Sequence, residues 1–179
     1  MSGNIILNLA ISLDGFIADE HGGYDWIQPA GNPGLNTPQR WSHERFLEHV
    51  ATVVMGRRCY DQQMHLEYPG KQVYVATSRP AENHGNIHFI GGDIVPVVAS
   101  LREKADGDIY LFGGGIVIDP LLKAGLVDEY VIGVIPIILG AGIPLFLHGH
   151  APIPLELTHT YVEDGVVILR YIPRKAAPL

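Results

Sequence analysis

The amino-acid sequence predicts an α/β fold with a mainly parallel sheet that ends in a β-hairpin. Short apolar runs alternate with segments of helical periodicity along most of the 179-residue chain, a pattern typical of parallel sheets covered by helices. Near the C-terminus, extended segments at 155–161 and 166–171 flank Glu163-Asp164-Gly165, and Asp-Gly is typical of a tight hairpin turn. At this length we expect one domain, residues 1–179.

The first half of the chain predicts three strands and one helix. Apolar runs at 5–13, 52–55 and 72–76 have the length and composition of buried strands. The helix is predicted over 43–50, with Ser42 as its N-cap and an apolar face turned to the core.

A long segment between the first strand and this helix, residues 19–39, is dense in Gly, Pro, Asn and Asp. Loops of this length in a compact domain usually cover a functional site or are disordered. Because Tyr24 and Trp26 are embedded in it, we expect the loop to be a cover, with Trp26 over a bound ring.

The second half predicts strands at 87–90, 109–112 and 127–138, and a helix over 94–105 that begins close to Pro96. A further helix follows the strand at 109–112, because apolar residues recur there at helical spacing.

Three consecutive glycines, Gly113 to Gly115, join that strand to its helix. Such a turn lets the backbone approach a ligand closely, and the helix behind it presents unpaired N–H groups to an anion. A phosphate is therefore the expected ligand. A tight connection without a ligand is the alternative. The named fingerprints do not fit, since Ile118 replaces the last glycine of G-x-G-x-x-G and no Gly-Lys-Ser/Thr follows.

The composition indicates a packed globular protein with 47% hydrophobic residues and a formal charge of −7. An acidic chain without a basic run makes nucleic acid an unexpected partner. The lone Cys59 excludes an intrachain disulfide and fits a reducing compartment. With no basic leader and no apolar run of the roughly 20 residues that span a bilayer, we expect a soluble, cytoplasmic protein without membrane contact.

Residues suited to anions follow three of the predicted strands. They are Gly56, Arg57 and Arg58 after the second strand, Thr77, Ser78 and Arg79 after the third, and Gly113, Gly114, Gly115 and Ile116 after the strand at 109–112. Ligands bind at the carboxyl ends of parallel strands, so we expect these turns to converge on one elongated anion such as a dinucleotide. For each arginine taken alone, a solvated surface charge is the alternative.

Five sequence motifs extend over nearly the whole chain: SLDGFIA at 12–18, VMGRRCY at 54–60, TSRP at 77–80, FGGG at 112–115, and LVDEY leading to PIILGAGIPLF at 126–146. Together they resemble the dihydrofolate reductase-like superfamily, and most closely the reductase domain of bacterial riboflavin biosynthesis and its stand-alone relatives. The resemblance implies a three-layer α/β fold with a mixed, mostly parallel sheet of about eight strands, NADPH as hydride donor, and usually a homodimer.

The resemblance also implies roles for individual residues. Arg57 matches an arginine on the cofactor phosphates, and Ser78 and Arg79 match the clamp for the 2′-phosphate. The Gly113–Gly114 pair matches a glycine pair beside the pyrophosphate, which in relatives is often joined by a cis peptide bond. Asp14 matches an aspartate at the substrate and nicotinamide end, where it is our candidate for proton handling or substrate orientation; a turn-forming Asp-Gly is the alternative.

Two residues depart from the family pattern, and these departures leave the identity of the substrate open. The acidic residue of true dihydrofolate reductases falls near Arg40, and Glu44, one helical turn later, is a candidate replacement on the substrate side unless it is only an exposed helix glutamate. Phe112 stands where riboflavin-pathway reductases often carry an acidic residue. A pteridine and a ribosylaminopyrimidine phosphate are the two substrate classes, and a regulatory or nucleotide-binding module without catalysis is the alternative function.

We expect no metal site. His43-Glu44 lacks the second histidine of H-E-x-x-H because Leu47 occupies that position, and His148 and His150 have no third ligand nearby in sequence.

Overall fold

The computed structural model describes residues 3–174 and contains ten strands and four α-helices. In chain order they are β1 (Ile5–Ser12), β2 (Phe16–Ala18), α1 (His43–His49), β3 (Val50–Gly56), α2 (Arg57–Asp61), β4 (Gln72–Ala76), β5 (Ile87–Ile90), α3 (Val95–Lys104), β6 (Asp108–Gly113), α4 (Gly115–Lys123), β7 (Glu129–Ile135), β8 (Ile143–Pro144), β9 (Leu155–Glu163) and β10 (Val166–Pro173). Two short 3-10 helices, Pro33–Leu35 and Met64–Glu67, lie in the connections.

Eight of the strands form one mixed sheet in the order β5-β4-β3-β6-β1-β7-β10-β9. The pairs from β5 to β7 are parallel, while β10 is antiparallel to both β7 and β9. The predicted α/β fold with a C-terminal hairpin is therefore confirmed. Because six neighbouring strands are parallel, their carboxyl ends meet at one edge of the sheet, which is where ligands bind in such sheets.

Helices cover both faces of the sheet, which confirms the predicted three layers. On one face, Leu7 and Leu111 pack with Val98 of α3 and Leu121 of α4, and all four side chains are fully buried. On the other face, Phe46 of α1 belongs to a second cluster that includes strand residues such as Val53, Val75 and Tyr110. Alternate side chains of each strand supply the two clusters, as the pleat requires.

Local chemistry explains several of the predicted boundaries. Ser42 caps α1 by accepting a hydrogen bond from the Arg45 N–H at 3.2 Å. Pro96 lies in the first turn of α3, where its missing N–H leaves no bond unmade. Asp164 and Gly165 have φ of 47° and 88°, the two positive values that a two-residue hairpin turn needs.

Apart from shifts of one or two residues at the ends of other elements, the structure differs from the prediction at four places. The predicted turn after β3 is the short helix α2, and β3 begins at Val50, which the prediction gave to the preceding helix. The predicted strand 127–138 is shorter at both ends, and it ends before Pro136, which has no N–H to donate. Finally, β2 and β8 form a separate two-stranded sheet that was not predicted, because two or three residues carry no readable period.

Within residues 3–174, no helix has the length and apolar character required to cross a membrane.

Candidate functional site

A cavity of about 1050 Å³ opens at the carboxyl edge of the sheet. Residues close to the ends of five strands line it: Ala10, Gly56, Ala76, Phe112 and Ile135. The cavity therefore lies where the parallel topology places ligand sites.

The three anion-suited turns of the sequence meet around this cavity. Their residues on its wall are Gly56, Arg57, Arg58, Thr77, Ser78, Gly114, Gly115 and Ile116. Arg79 instead lines an adjoining cavity of about 250 Å³, which also includes Thr77, Ser78 and Gly92. Gly113 is buried at the end of β6, one residue from the wall.

The Asp61 carboxylate links the two turns that carry Arg57 and Arg79. Asp61 accepts a hydrogen bond from Arg57 Nε at 2.7 Å and another from Arg79 Nη2 at 3.0 Å. The bond from Arg57, with the charges of both guanidinium groups, lowers the pKa of Asp61. Arg57 also lies 5.6 Å from the ring centroids of both Tyr60 and Phe89, so its guanidinium is held from several sides.

Each of the three glycines has its own reason to be glycine. Gly113 and Gly114 have φ of 134° and 80°, values that L side chains rarely adopt. At Gly115, an added Cβ would lie 2.7 Å from the Pro144 carbonyl oxygen, so a side chain would clash with backbone. Residues 3–174 contain no cis peptide bond, so the cis Gly113–Gly114 link expected from the resemblance is not present.

Gly114 is also the N-cap of α4, and no side chain caps that helix end. The first N–H groups of α4 therefore have no side-chain acceptor. Because these groups and the helix dipole both favour negative charge, this end of the cavity suits a phosphate.

The other half of the cavity lies on the α1 face of the sheet and has a floor built by four neighbouring strands. From β6 to β10 the floor residues are Tyr110, Phe112, Asn8, Ala10, Gly133, Ile135, Ile168 and Val166. The register pairs Ala10 with Gly133 and Gly133 with Ile168, so two small residues lie side by side in the middle of the floor. Trp41 and His43 contribute to the wall at the start of α1.

Asn8 contributes the side-chain amide of this floor, and the residue is 7% exposed. Its Nδ2 group makes no hydrogen bond within residues 3–174. A buried donor without an acceptor costs about 1–3 kcal/mol, so such groups generally have a functional or structural reason. Sequence reasoning treated this strand as core and missed Asn8; the available signal was one amide within an otherwise apolar run.

The pKa values of two other wall residues are shifted by burial. Partial burial lowers the pKa of the His43 imidazole, and the negative charge of Glu67 opposes this only in part. Burial also raises the pKa of the Cys59 thiol, which therefore stays protonated at neutral pH.

Asp14, the predicted catalytic residue, lies outside the cavity wall. Its carboxylate accepts hydrogen bonds from Ser12 Oγ at 2.6 Å and from the N–H groups of Leu139 at 3.1 Å and Gly140 at 2.8 Å. These bonds, the Ser12 bond above all, lower the pKa of Asp14. In this arrangement Asp14 fastens the turn after β1 to the segment after β7.

The two other residues predicted for the substrate side also lie off the wall. Trp26 donates its Nε1–H to the Gly23 carbonyl at 3.2 Å, and its neighbours Tyr24 and Ile27 line the cavity instead. Glu44 is exposed and lies off the cavity wall, because it follows His43 by one helical residue and so points about 100° away from that wall residue.

The loop 19–39 covers part of the cavity, as predicted, and it is attached at both ends. Gly22 lines the wall and accepts a hydrogen bond from Gln62 Nε2 of the segment after α2 at 3.2 Å. Near its other end, Thr37 donates its N–H to the Val162 carbonyl at 2.9 Å, and Asn36 Nδ2 donates to Asp164 Oδ1 at 3.0 Å. The C-terminal hairpin thus supplies both a part of the floor and the support for the cover.

The profile of the RibD C-terminal domain family matches residues 4–169. Among curated proteins, the chain is 32% identical over 177 residues to the uncharacterized protein YwjB of Bacillus subtilis strain 168, covering 96% of this chain and 99% of YwjB.

Solved structures agree with this match. A protein from Shewanella sp. PV-4 that is named for riboflavin biosynthesis superposes with a TM-score of 0.80 at 30% identity, covering 98% of this chain and all of that one. Dihydrofolate reductase from Enterococcus faecalis, in a complex with NADP(H), gives a TM-score of 0.68 at 18% identity, with 98% and 99% of the two chains covered. The second likeness concerns the fold, which is dihydrofolate reductase-like as the resemblance implied.

Proposed function

This chain belongs to the RibD C-terminal domain family, and we propose from that membership that it is an NADPH-dependent reductase acting on a small heterocyclic substrate of pteridine or ribosylaminopyrimidine type. The observation that carries the proposal is the meeting of an arginine turn, a Thr-Ser-Arg turn and a glycine turn around one cavity at the carboxyl edge of the sheet.

The residues present fit a dinucleotide phosphate. When bound, NADPH supplies a hydride from its nicotinamide. Arg57 and the N-terminus of α4 would hold the pyrophosphate, and Gly114 leaves open space there, since an added Cβ would find no atom within 4 Å. Ser78 and Arg79, beside the smaller cavity, would hold the 2′-phosphate that distinguishes NADPH from NADH.

The chain's own contribution to the reaction is orientation of the substrate and exclusion of water. Reduction of a C=N or C=O bond adds a hydride to carbon and a proton to nitrogen or oxygen. The aromatic and aliphatic floor, with the loop 19–39 above it, keeps the substrate half dry. We propose Asp14 for the substrate-orienting role rather than for direct proton transfer, because its three hydrogen bonds fix the turn that follows β1.

We further propose that residues 1–179 form one domain and that the protein works as a cytoplasmic homodimer. Large apolar side chains are exposed on the C-terminal hairpin, with Leu157 50% and Ile172 38% exposed, and this edge of the sheet is our candidate for the contact.

Fluorescence titration of the purified protein with NADPH and NADH tests the cofactor. We expect Arg79→Ala to weaken NADPH binding about tenfold or more and NADH binding much less, because only NADPH has the additional phosphate to pair. The control is Arg45→Ala, which removes an exposed arginine of α1 away from the cavity.

Failure of the wild type to bind either nucleotide would contradict the assignment of all three turns. Binding of NADPH without turnover of a pteridine or of a ribosylaminopyrimidine phosphate would favour the nucleotide-binding module over the enzyme.

A further inference from the structure

Asp61 contacts both arginines that are proposed above to hold the phosphates of the cofactor. It is the last residue of α2, and its two carboxylate oxygens accept from different partners: Oδ1 from Arg57 Nε at 2.7 Å and Oδ2 from Arg79 Nη2 at 3.0 Å. Because Arg79 belongs to the turn after β4, one carboxylate joins two separate turns. The side chains of Asp61 and Arg79 are 45% and 67% exposed, so a dissolved ligand can reach both.

The two arginines depend on Asp61 to different degrees. The guanidinium of Arg57 also lies 5.6 Å from the ring centroids of Tyr60 and Phe89, so it has contacts that do not involve the carboxylate. Within the described residues, the guanidinium of Arg79 bonds to Asp61, and an ion pair as exposed as this one is weak. Arg79 can therefore leave Asp61 when a more highly charged anion arrives.

The charges of this cluster only partly match a phosphate. Two guanidinium groups and one carboxylate leave a net charge of +1, and the two arginines lower the pKa of Asp61, which keeps it ionised at neutral pH. A phosphate monoester carries a charge of about −1.5 to −2 at this pH, so the Asp61 carboxylate repels it. An uncharged ribose 2′-hydroxyl is not repelled, and a carboxylate is the group that accepts its hydrogen bond in many NAD sites.

Given the cofactor site proposed above, we infer that Asp61 is a specificity-determining residue, which competes with the 2′-phosphate of NADPH for Arg79 and so reduces the preference for NADPH over NADH. When NADPH binds, Arg79 turns from the carboxylate to the phosphate. When NADH binds, Arg79 stays paired with Asp61. The chain therefore binds NADPH less tightly than its two arginines alone would allow.

Asp61→Asn tests this role, because the amide keeps the shape and an oxygen acceptor but removes the negative charge. We expect the dissociation constant for NADPH to fall about threefold to tenfold, while that for NADH stays the same or rises. In calorimetric titrations 2′,5′-ADP and 5′-AMP should repeat this contrast, since they differ by the 2′-phosphate and lack the nicotinamide. The gain for NADPH should shrink in about 0.5 M NaCl, because salt screens exposed charges and leaves a purely structural effect unchanged.

Glu82→Gln is the matched control. It removes one negative charge three residues after Arg79, from an exposed side chain that lies on the wall of neither cavity. We expect it to change the affinity for either nucleotide by less than about twofold, since exposed charges at a distance are largely screened. Melting curves of both variants should lie close to that of the wild type, because the ion pairs of Asp61 are partly exposed.

Unchanged or weaker binding of NADPH by Asp61→Asn would overturn the inference, since Asp61 would then be neutral or would serve to position the arginines. An equal gain for NADPH and NADH would also overturn it, because the effect would be one of general charge. If the wild type bound neither nucleotide, the proposed function itself would fail and this inference with it, and that result would appear before any substitution is made.

Discussion

A methyl group added at Gly114 tests whether the glycine turn holds a phosphate. Gly114 has φ of 80° and lies on the cavity wall, and an added Cβ would meet no atom within 4 Å. The folded chain therefore has room for the methyl group, and the cost to folding is the strained backbone of an L residue. That cost is about 1 kcal/mol, which lowers the melting temperature by about 2–4 °C in a chain of this size.

Cofactor affinity should fall by much more than this strain implies. The methyl group would occupy the space through which a phosphate approaches the N-terminus of α4. Losing one or two charge-assisted hydrogen bonds from backbone N–H groups costs about 1.5–3 kcal/mol, or roughly a tenfold to hundredfold increase in the dissociation constant for NADPH.

Two neighbouring glycines separate the effects of strain, packing and cofactor contact. Gly125→Ala, just after α4, introduces similar strain at φ of 64°, also with no atom within 4 Å, but away from the cavity wall. It should lose stability and keep its affinity. Gly115→Ala should lose the most stability, because its Cβ would lie 2.7 Å from the Pro144 oxygen and 2.9 Å from the Leu145 oxygen.

The assay is a melting curve and an NADPH titration for each variant. The reasoning would be refuted if Gly114→Ala bound NADPH as tightly as Gly125→Ala does, since the turn would then be a connection without a ligand.

Two further predictions concern Asp14 and assembly. Folding lowers the pKa of Asp14 below its ordinary value of 3.8. The hydrogen bonds of the Asp14 carboxylate therefore stabilise the fold above about pH 3.8, and this stabilisation is lost as the pH falls through the lowered pKa. The difference in melting temperature between wild type and Asp14→Asn should be seen at pH 7 and should shrink below about pH 3.8. An unchanged turnover rate in Asp14→Asn would contradict its orienting role. Light scattering at micromolar concentration should give about twice the 19.6 kDa chain mass, and a monomer would contradict the proposed homodimer.

The sheet was predictable because its signals are local. β4 and β5 have the predicted bounds, Gln72–Ala76 and Ile87–Ile90, since each is a short apolar run between polar segments. The hairpin turn followed from Asp-Gly, whose backbone tolerates positive φ. The meeting of the three turns followed from the parallel order of the strands, because such strands end at one edge.

Residues whose role depends on distant partners were missed. Asp61 belongs to α2, four residues after Arg57, but the sequence interpretation took this segment for a turn and so did not expect a pair at helical spacing. Asn8 lies in the cavity wall only because the sheet places β1 between β6 and β7, which the sequence of β1 alone does not indicate. Trp26 was chosen for its size, whereas the path of the loop turns Tyr24 and Ile27 to the cavity.

Arg40 shows how a change of residue type is used in this fold. The resemblance leads one to expect an acidic residue here, and Arg40 instead forms an ion pair with Glu163 at 2.7 Å, outside the cavity wall. The partners are 59% and 37% exposed, so the pair adds at most about 1 kcal/mol and its effect is mainly geometric. With the bonds at Asn36 and Thr37, it is a further link between the cover and the C-terminal hairpin. Neither Arg40 nor Glu44 lies on the cavity wall, so the arginine at position 40 serves the attachment of the cover and adds no charge to the cavity itself.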